Sequence, residues 1–599
     1  MAEQATTTDQ DLDSIRDART QARRAQEAQA RLAELSQDRI DSIVAAAATA
    51  AAQQAQPFAR LAVEETGYGN EADKVRKNLF AADTIYRFIQ PMRTVGIIRR
   101  IASNRVVEIA EPFGVVAAVV PSTNPTSTAI YKILICLKAR CAVVLSPHPS
   151  AVQSIHRVAE VMTQAALSAG APDGAINCMT TVTLEGTKEL MSRREVSLVL
   201  ATGGLGLVRA AYSSGTPAYG VGPGNAPAYV ERTADLPKAV SDIITGKTFD
   251  NGVLCSSENS VVVDELIAGE LRREFERQGG HFLSNDEAGL LATTLVTSQG
   301  LPNPEFVGKT AIQIAGRVGI EVPPDTKVLI APLTGVGRNY PLSIEKLCPV
   351  LAFYVVEDWR AGCERCTQLL QYGGMGHTMS IHSQDEKVIL EFGLRNPAFR
   401  IVVNTPTTLG AIGMTTGLAP SMTLGCGGHG GNITSDNLTP HHLLNIKRLA
   451  YETQPVGPTT GSDTALGDRL HPPDISPPSP KPAGIDPTLL ARRVESFLES
   501  RGVTGAATSG HHTQPVSPAP ARLPQVDEPD FAASGAQLSA EPTNPSPHTE
   551  PVSFVCEEDV RQALLHARVI VVNDRTIITP AARDLGDQHS VFVQAELPR

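Results

Sequence analysis

Strands and helices that alternate, with glycine-bearing turns between them, predict an α/β fold with a parallel sheet and helices on its faces. Three stretches carry that reading. Residues 115–120 form an unbroken apolar run ended by Pro121, and residues 142–145 form a second, ended by Ser146-Pro147. Residues 197–201 form a third, leading into Thr202-Gly203-Gly204-Leu205-Gly206. Continuous apolar runs are what strands covered on both faces require, and the repeated order strand, turn, helix points to parallel pairing.

The elements follow in order along the chain. Residues 10–56 are rich in Ala, Gln, Arg and Glu, all strong helix formers, and Ser36 followed by Asp38, Arg39 and Ile40 marks a fresh helix start. The alternating texture begins near residue 110, with a helical stretch at 151–169 after the second strand. From Pro455 to Pro551, Pro, Gly, Ser and Thr dominate. Such a segment cannot bury enough apolar surface to offset its chain entropy, so it reads as a linker.

Two islands interrupt this polar background. At 486–502, Asp486 can cap a helix, Pro487 suits its first turn and Gly502 its end. Leu490, Val494, Phe497 and Leu498 then share one face, and a short amphipathic helix on two tethers needs a groove to bury that face. The groove belongs either to a partner or to the enzyme body itself. The second island runs from Phe554 to Val593, with a helix-like stretch at 557–567 and a strand-like stretch at 569–572. It is too small for an independent core without help.

At 599 residues the chain is expected to hold about two to four domains, and 42% hydrophobic residues suffice for sizeable cores. The net charge of −11 is spread along the chain with no basic block, which argues against a nucleic-acid partner. No apolar run approaches the roughly 18 residues of a membrane span. The Ala-rich stretch at 43–51 lacks a preceding basic region, so it reads as helix and not as a signal peptide. Nine scattered cysteines, an odd count, suit a reducing cytoplasm better than a disulfide framework. Cys363-Glu364-Arg365-Cys366 has no second pair nearby, and His441-His442 and His511-His512 lack matching ligands, so no metal is expected.

The densest chemical signal is Phe249-Asp250-Asn251-Gly252-Val253-Leu254-Cys255-Ser256-Ser257, followed by the apolar run 261–263. Cys255 sits between a glycine-containing turn and a Ser-Ser pair at the mouth of a strand, a setting for a nucleophilic thiol. Asn124, at the end of the strand before it, can hydrogen-bond an oxyanion together with the Cys255 N–H. An Asn before Pro is equally a plain turn residue. The turn at 202–206 lets backbone approach a cofactor, but its spacing is not the Gly-x-Gly-x-x-Gly fingerprint.

A set of separate motifs in order extends this reading: Phe113-Gly114-Val115, residues 121–127, Ser146-Pro147-His148-Pro149, Ala201-Thr202-Gly203-Gly204, residues 220–225 and residues 249–255. With residues 418–427 and 437–445, they resemble the CoA-acylating aldehyde dehydrogenases, including those of bacterial microcompartments and the aldehyde dehydrogenase half of bifunctional aldehyde–alcohol dehydrogenase. The similarity covers roughly residues 10 to 455.

The resemblance implies an aldehyde dehydrogenase-like fold, with a Rossmann-like cofactor domain, a catalytic α/β domain and a small oligomerisation arm, to which the composition adds a largely disordered C-terminal extension. It implies NAD and coenzyme A as cofactor and co-substrate, a short-chain aldehyde as substrate, and a homo-oligomer. Cys255 would be the nucleophile and Asn124 would hold the oxyanion. Glu345, in Glu345-Lys346-Leu347-Cys348-Pro349, resembles the glutamate that holds the nicotinamide ribose. Thr123, Ser146, His148, Thr202, Gly203, Gly204, Gly222 and Gly224 complete the expected cofactor contacts. His377 also lies in a family motif, with no role derived for it.

One absence separates two branches of that family. Hydrolytic members carry a glutamate before a Gly-Gly pair to activate water, whereas Tyr219-Gly220-Val221-Gly222-Pro223-Gly224-Asn225 holds no carboxylate. Without that base water attack is slow, and a thiol such as coenzyme A takes the acyl group instead. The rival readings are a CoA-independent dehydrogenase giving the free acid, and a non-catalytic scaffold.

The tethered helix at 486–502 resembles the encapsulation peptides of microcompartment cargo, which implies binding to shell or cargo proteins and a cytoplasmic location inside a microcompartment. The tail around 560–585 resembles extensions on proteins of that kind. The expected map is a dinucleotide-binding domain at 10–240 with an oligomerisation hairpin near 125–140, a catalytic domain at 241–430, and a return to the cofactor and oligomerisation region at 431–455. A linker at 456–553 and a tail module at 554–599 follow.

Overall fold

The computed structural model describes residues 9–454 and most of 552–594. The expected linker at 456–553, with its helix at 486–502, lies outside the described residues apart from Val552. The described residues fall into two compact units, 9–454 and 552–594.

The first unit opens with three helices, Asp9–Ala33, Gln37–Gln53 and Ala55–Thr66, then a fourth, Glu71–Leu79. Ser36 caps the second through its side chain, accepting from the N–H of Arg39, as its position before a helix-forming run predicts. An antiparallel pair follows, β1 (Gly96–Ile101) and β2 (Val106–Pro112).

Five strands then form a wholly parallel sheet: β3 (Val115–Val120), β4 (Val143–Pro147), β5 (Ile176–Cys178), β6 (Val196–Thr202) and β7 (Ala218–Val221). Their spatial order is β5-β4-β3-β6-β7. The three apolar runs of the sequence are β3, β4 and β6, and every residue of β3 and β4 is buried. From β3 the chain winds first one way to β4 and β5, then returns to the other side for β6 and β7. The crevice at the carboxyl ends of β3 and β6 is therefore the switch point where α/β sheets bind ligands.

A second parallel sheet has seven strands: β8 (Ala226–Val230), β9 (Glu258–Asp264), β10 (Gly280–Phe282), β11 (Val328–Pro332), β12 (Val350–Val356), β13 (Met379–His382) and β14 (Ile401–Val403). Its order is β10-β11-β12-β9-β8-β13-β14. Finally β15 (Leu444–Ala450) pairs antiparallel with β2 and completes a three-stranded sheet with β1.

Three expectations about organisation are corrected. Residues 125–140 are not a hairpin: Pro125–Lys138 is a helix buried along its whole length. A parallel pair needs a crossover, and this helix is the β3–β4 crossover, with Pro125 at the first turn where its missing N–H costs nothing. Full burial of Ile130, Ile133 and Leu134 contributes roughly 1.5–3 kcal/mol each. The antiparallel arm is instead built from β1, β2 and β15, so only the 431–455 part of the expected arm lies in it.

The boundary at 240 falls inside the helix Leu236–Thr248, whose Ala239, Val240, Ile243 and Ile244 pack into the core of the second sheet. The two sheets divide at 222–225, between β7 and β8. The return comes earlier than 430, since Leu409, Ala411 and Ile412 already pack into the core beside β3 and β4.

In the second unit, Phe554–Val555 pairs parallel with Ile577–Ile578, and Ile570–Val572 pairs parallel with Phe592–Gln594. With the helix Glu557–Leu565 they enclose a small cluster of Val555, Val560, Ala563, Val572, Ala582 and Val591.

Candidate active site

The connections that leave the carboxyl ends of all five strands of the first sheet, Thr183–Leu184 after β5 among them, meet the loop before β9 around a cavity of about 500 Å³. Its wall takes Pro121–Asn124 after β3, Pro147–Pro149 around the end of β4, Thr202–Gly204 after β6, and Val221–Pro223 after β7. Val253–Ser256 and Glu345 supply the opposite side, with Ile412, Met422 and Leu424 adding apolar surface.

Cys255 reaches this wall through an unusual turn. After the helix Leu236–Thr248, Asp250, Asn251 and Gly252 adopt left-handed backbone in succession, at φ 48°, 53° and 76°. For an L residue other than glycine this costs about 1–2 kcal/mol, least for Asp and Asn, which are the residues present. Side-chain bonds hold the turn. Asn251 Nδ2 donates to the Gly308 carbonyl at 2.8 Å, and Asp250 Oδ1 accepts the Asn70 N–H at 2.8 Å.

Cys255 is partly exposed as a residue, but burial of its thiol pushes the pKa up to about 12, with Glu345 and Cys426 reinforcing the shift and Arg400 opposing it. Arg400 is itself buried, and donates to the carbonyls of Gly425 (2.5 Å) and Ser435 (2.9 Å).

Asn124 sits at the start of the helix Pro125–Lys138 with its amide fixed at both ends: Oδ1 accepts from Lys77 Nζ at 2.5 Å, and Nδ2 donates to Thr123 Oγ1 at 3.1 Å. Lys77 also pairs with Asp250, as does Lys74 at 3.0 Å. Burial lowers the Lys77 ammonium to about 8, while Asp250 opposes the shift. A further buried lysine, Lys132, donates to the carbonyls of Val119 (2.6 Å) and Leu200 (2.9 Å), tying β3 to β6 at the switch point.

Glu345 Oε1 accepts the Gly224 N–H at 3.0 Å, and burial raises its carboxyl to about 8. Gly224 does not line the cavity but lies directly behind Cys255. A β-carbon there would stand 2.0 Å from the Cys255 carbonyl oxygen. Ser146 also lies behind the wall: it is fully buried, sharing a hydrogen bond with Thr187 Oγ1 at 2.9 Å, and Thr187 takes its place on the surface. His148 is exposed and accepts the Ser150 N–H on Nδ1 at 3.1 Å, which leaves Nε2 protonated when the ring is neutral.

Cys255, Asn124, Thr123, His148, Thr202, Gly203, Gly204, Gly222 and Glu345 thus share one cavity. His377 is buried, with Nδ1 2.9 Å from Thr378 Oγ1, and burial pushes its imidazole down to about 3, so it is neutral. The groups that sequence reasoning did not single out are Lys74, Lys77, Lys132 and Asp250. Among the described residues no group of three or more His, Cys, Asp or Glu side chains could hold a metal ion, and no helix is long and apolar enough to cross a membrane.

The crevice fits a dinucleotide. It lies at a switch point, Gly203 and Gly204 leave the backbone bare at the start of the helix Leu205–Tyr212, and a β-carbon at 204 would meet nothing within 4 Å. The Thr202 hydroxyl beside it is buried with no hydrogen-bond partner among the described residues.

This fold, with a cysteine facing a switch-point crevice across a side-chain amide, defines a class that the comparisons name. Residues 2–284 match the model of the aldehyde dehydrogenase family. The chain is 41% identical over 403 residues to the bifunctional aldehyde-alcohol dehydrogenase of Escherichia coli K12, covering 66% of this chain and 45% of that protein. The chain therefore spans less than half the length of that relative. Among solved structures, an acetylating aldehyde dehydrogenase from Geobacillus thermoglucosidasius is 50% identical with a TM-score of 0.73, covering 75% of this chain and 99% of that one. A propionaldehyde dehydrogenase from the fucose utilisation bacterial microcompartment of Clostridium phytofermentans is 29% identical with a TM-score of 0.66, covering 72% of this chain and 97% of that one. The chain belongs to the aldehyde dehydrogenase family. The relatives named here act on aldehydes, and the Geobacillus enzyme bears the acetylating name.

Proposed function

We propose that the protein is an acylating aldehyde dehydrogenase, oxidising a short-chain aldehyde to its acyl-CoA with NAD⁺ and coenzyme A. One observation carries the choice of the acylating branch. Among the cavity-lining residues Glu345 is the single carboxylate, and it is bonded to the Gly224 N–H behind Cys255. No second acid stands free to activate water against a thioester on Cys255.

In this reading Cys255 Sγ, as thiolate, attacks the aldehyde carbonyl to give a thiohemiacetal, whose oxyanion is held by the Asn124 Nδ2–H and the Cys255 N–H. NAD⁺, when bound, supplies the hydride acceptor. Thr202, Gly203, Gly204 and Gly222 would hold it, with Thr123 and His148 beside them, and Glu345 would accept from its ribose. The resulting thioester on Cys255 is taken by the thiolate of coenzyme A, freeing Cys255. The match to an acetylating enzyme and to a propionaldehyde dehydrogenase favours acetaldehyde and propionaldehyde as substrates.

Mass spectrometry tests the covalent step. Incubation with propionaldehyde and NAD⁺, without CoA, should leave one acyl group on the peptide containing Cys255, discharged on adding CoA. An unmodified Cys255 with full turnover would refute it.

The microcompartment origin of one structural relative, together with the tethered segment at 486–502, favours residence in a microcompartment inside the cytoplasm, and homo-oligomerisation through the β1–β2–β15 arm. Deletion of 455–599 should abolish co-purification with shell proteins while leaving the dehydrogenase activity. Unchanged co-purification would end this part of the reading.

A further inference from the structure

We infer that Lys77 is a positioning residue: its ammonium sets which end of the Asn124 amide faces the reacting carbonyl, and ties that amide to the loop of the nucleophile. The inference rests on the reading of Asn124 as oxyanion donor.

The helix Glu71–Leu79 starts at Asn70, whose side chain accepts the Asp73 N–H at 2.9 Å. Its buried residues are Lys74, Lys77 and Asn78, at i, i+3 and i+4, so the face it turns inward is polar. Burying two ammonium groups requires partners. They share one: Oδ2 of Asp250 receives Lys74 Nζ at 3.0 Å and also Lys77 Nζ. Each lysine then reaches the turn after β3, but in different ways. Lys74 Nζ donates to the Thr123 carbonyl at 3.2 Å, whereas Lys77 Nζ donates to the Asn124 side-chain oxygen at 2.5 Å.

That difference gives Lys77 a chemical consequence. An amide has a donor end and an acceptor end, and an ammonium can bond only the acceptor end. Lys77 therefore excludes the flipped amide, which would present a carbonyl oxygen to the oxyanion. One Nδ2 hydrogen goes to Thr123 Oγ1, at 3.1 Å, and the other remains for a ligand. A cation on the carbonyl side also polarises the amide and strengthens its N–H as a donor. Because the Lys77 ammonium holds Asp250 as well, and Asp250 begins the left-handed turn to Cys255, one group spans both halves of the catalytic constellation.

The test is a double-mutant cycle on the full chain with Lys77→Met and Asn124→Ala, measured as kcat and KM for propionaldehyde. Lys77→Met should lower kcat roughly tenfold to a hundredfold, somewhat less than the 10²–10³ for removing an oxyanion donor outright, with KM for the aldehyde little changed. In the Asn124→Ala background the same substitution should cost little further, because its effect passes through the amide. Alkylation of Cys255 by iodoacetamide, which needs no oxyanion, should stay within about twofold of the parent in Lys77→Met, since one lost contact leaves the thiol in place.

If Asn124→Ala loses kcat while Lys77→Met keeps it, or if the two losses multiply, the role of Lys77 is overturned and that of Asn124 stands. If Asn124→Ala keeps full kcat, the oxyanion reading itself has failed. Should Lys77→Met not fold, Lys77→Leu, which likewise carries no donor for Asn124 Oδ1, enters the same cycle with the same readings.

Discussion

Gly224 lies against the main chain of Cys255, so closely that a β-carbon at 224 would stand 2.0 Å from the Cys255 carbonyl oxygen. The obstructing atom is backbone, so it cannot swing aside as a side chain would. The same glycine donates its N–H to Glu345 at 3.0 Å, so a shift on either side disturbs both Cys255 and Glu345. Gly224→Ala should lower kcat on the order of 10²-fold, the cost of displacing a reacting group by about 1 Å. Steady-state kinetics on the folded variant check this, and a kcat near that of the parent would show that the loop relaxes freely.

The thiol of Cys255 should titrate high. Burial pushes its pKa up to about 12, so at neutral pH the free enzyme holds it as the protonated form. Since the thiolate is the reactive species, the rate of alkylation by iodoacetamide should rise about tenfold per pH unit from 7 to 10. A plateau near pH 7 would contradict this setting.

Asp250 is a buried carboxylate on which two buried ammoniums converge. Asp250→Asn leaves both cations without their counter-charge, and breaking a buried pair in this way costs about 3–5 kcal/mol. Denaturant unfolding of parent and variant measures the difference. A loss below about 1 kcal/mol would mean that solvent reaches the lysines, as for exposed pairs.

Glu345 carries a stability signature of its own. Burial raises its carboxyl from the ordinary 4.5 to about 8, so between those values the folded chain binds a proton that the unfolded chain has lost. Stability from this group must then fall as pH rises from about 4.5 to about 8 and level off above. Unfolding of cofactor-free parent and Glu345→Gln at pH 5.5 and pH 8 should show the parent losing ground to the variant at the higher pH. A parent that gains ground would reverse the sign.

Much of this was legible in the sequence because it is written in short-range patterns. The continuous apolar runs at 115–120 and 142–145 admit burial on both faces and little else, and both are fully buried strands of the first sheet. Most of the motif residues that line the cavity, at 121–124, 147–149, 202–204 and 221–223, lie at strand ends or in the turns directly after them, where residue type and place in the chain fix position together.

The helix at 125–138 was misread because the hairpin was taken from the resemblance alone; buried on every side, Lys132 and Lys138 included, the segment has no solvent-facing stripe to mark it as a helix. The antiparallel strands lie instead at β1, β2 and β15. Lys74 and Lys77 were invisible for a different reason. Lysines three apart on a polar helix read as a solvated face, and only the tertiary fold brings Asp250, 173 residues beyond Lys77, between them. Ser146 and Gly224 lie in the right motifs but behind the wall, a distinction set by the strand pleat and the packing behind Cys255.

The central claim is that coenzyme A and not water takes the acyl group from Cys255. The most direct measurement is NADH formation by the full chain from propionaldehyde and NAD⁺, with and without CoA, with the acyl product identified. The account predicts strong dependence on CoA and propionyl-CoA as product. CoA-independent turnover to propionate would contradict it, and would mean that a group other than those lining the cavity activates water.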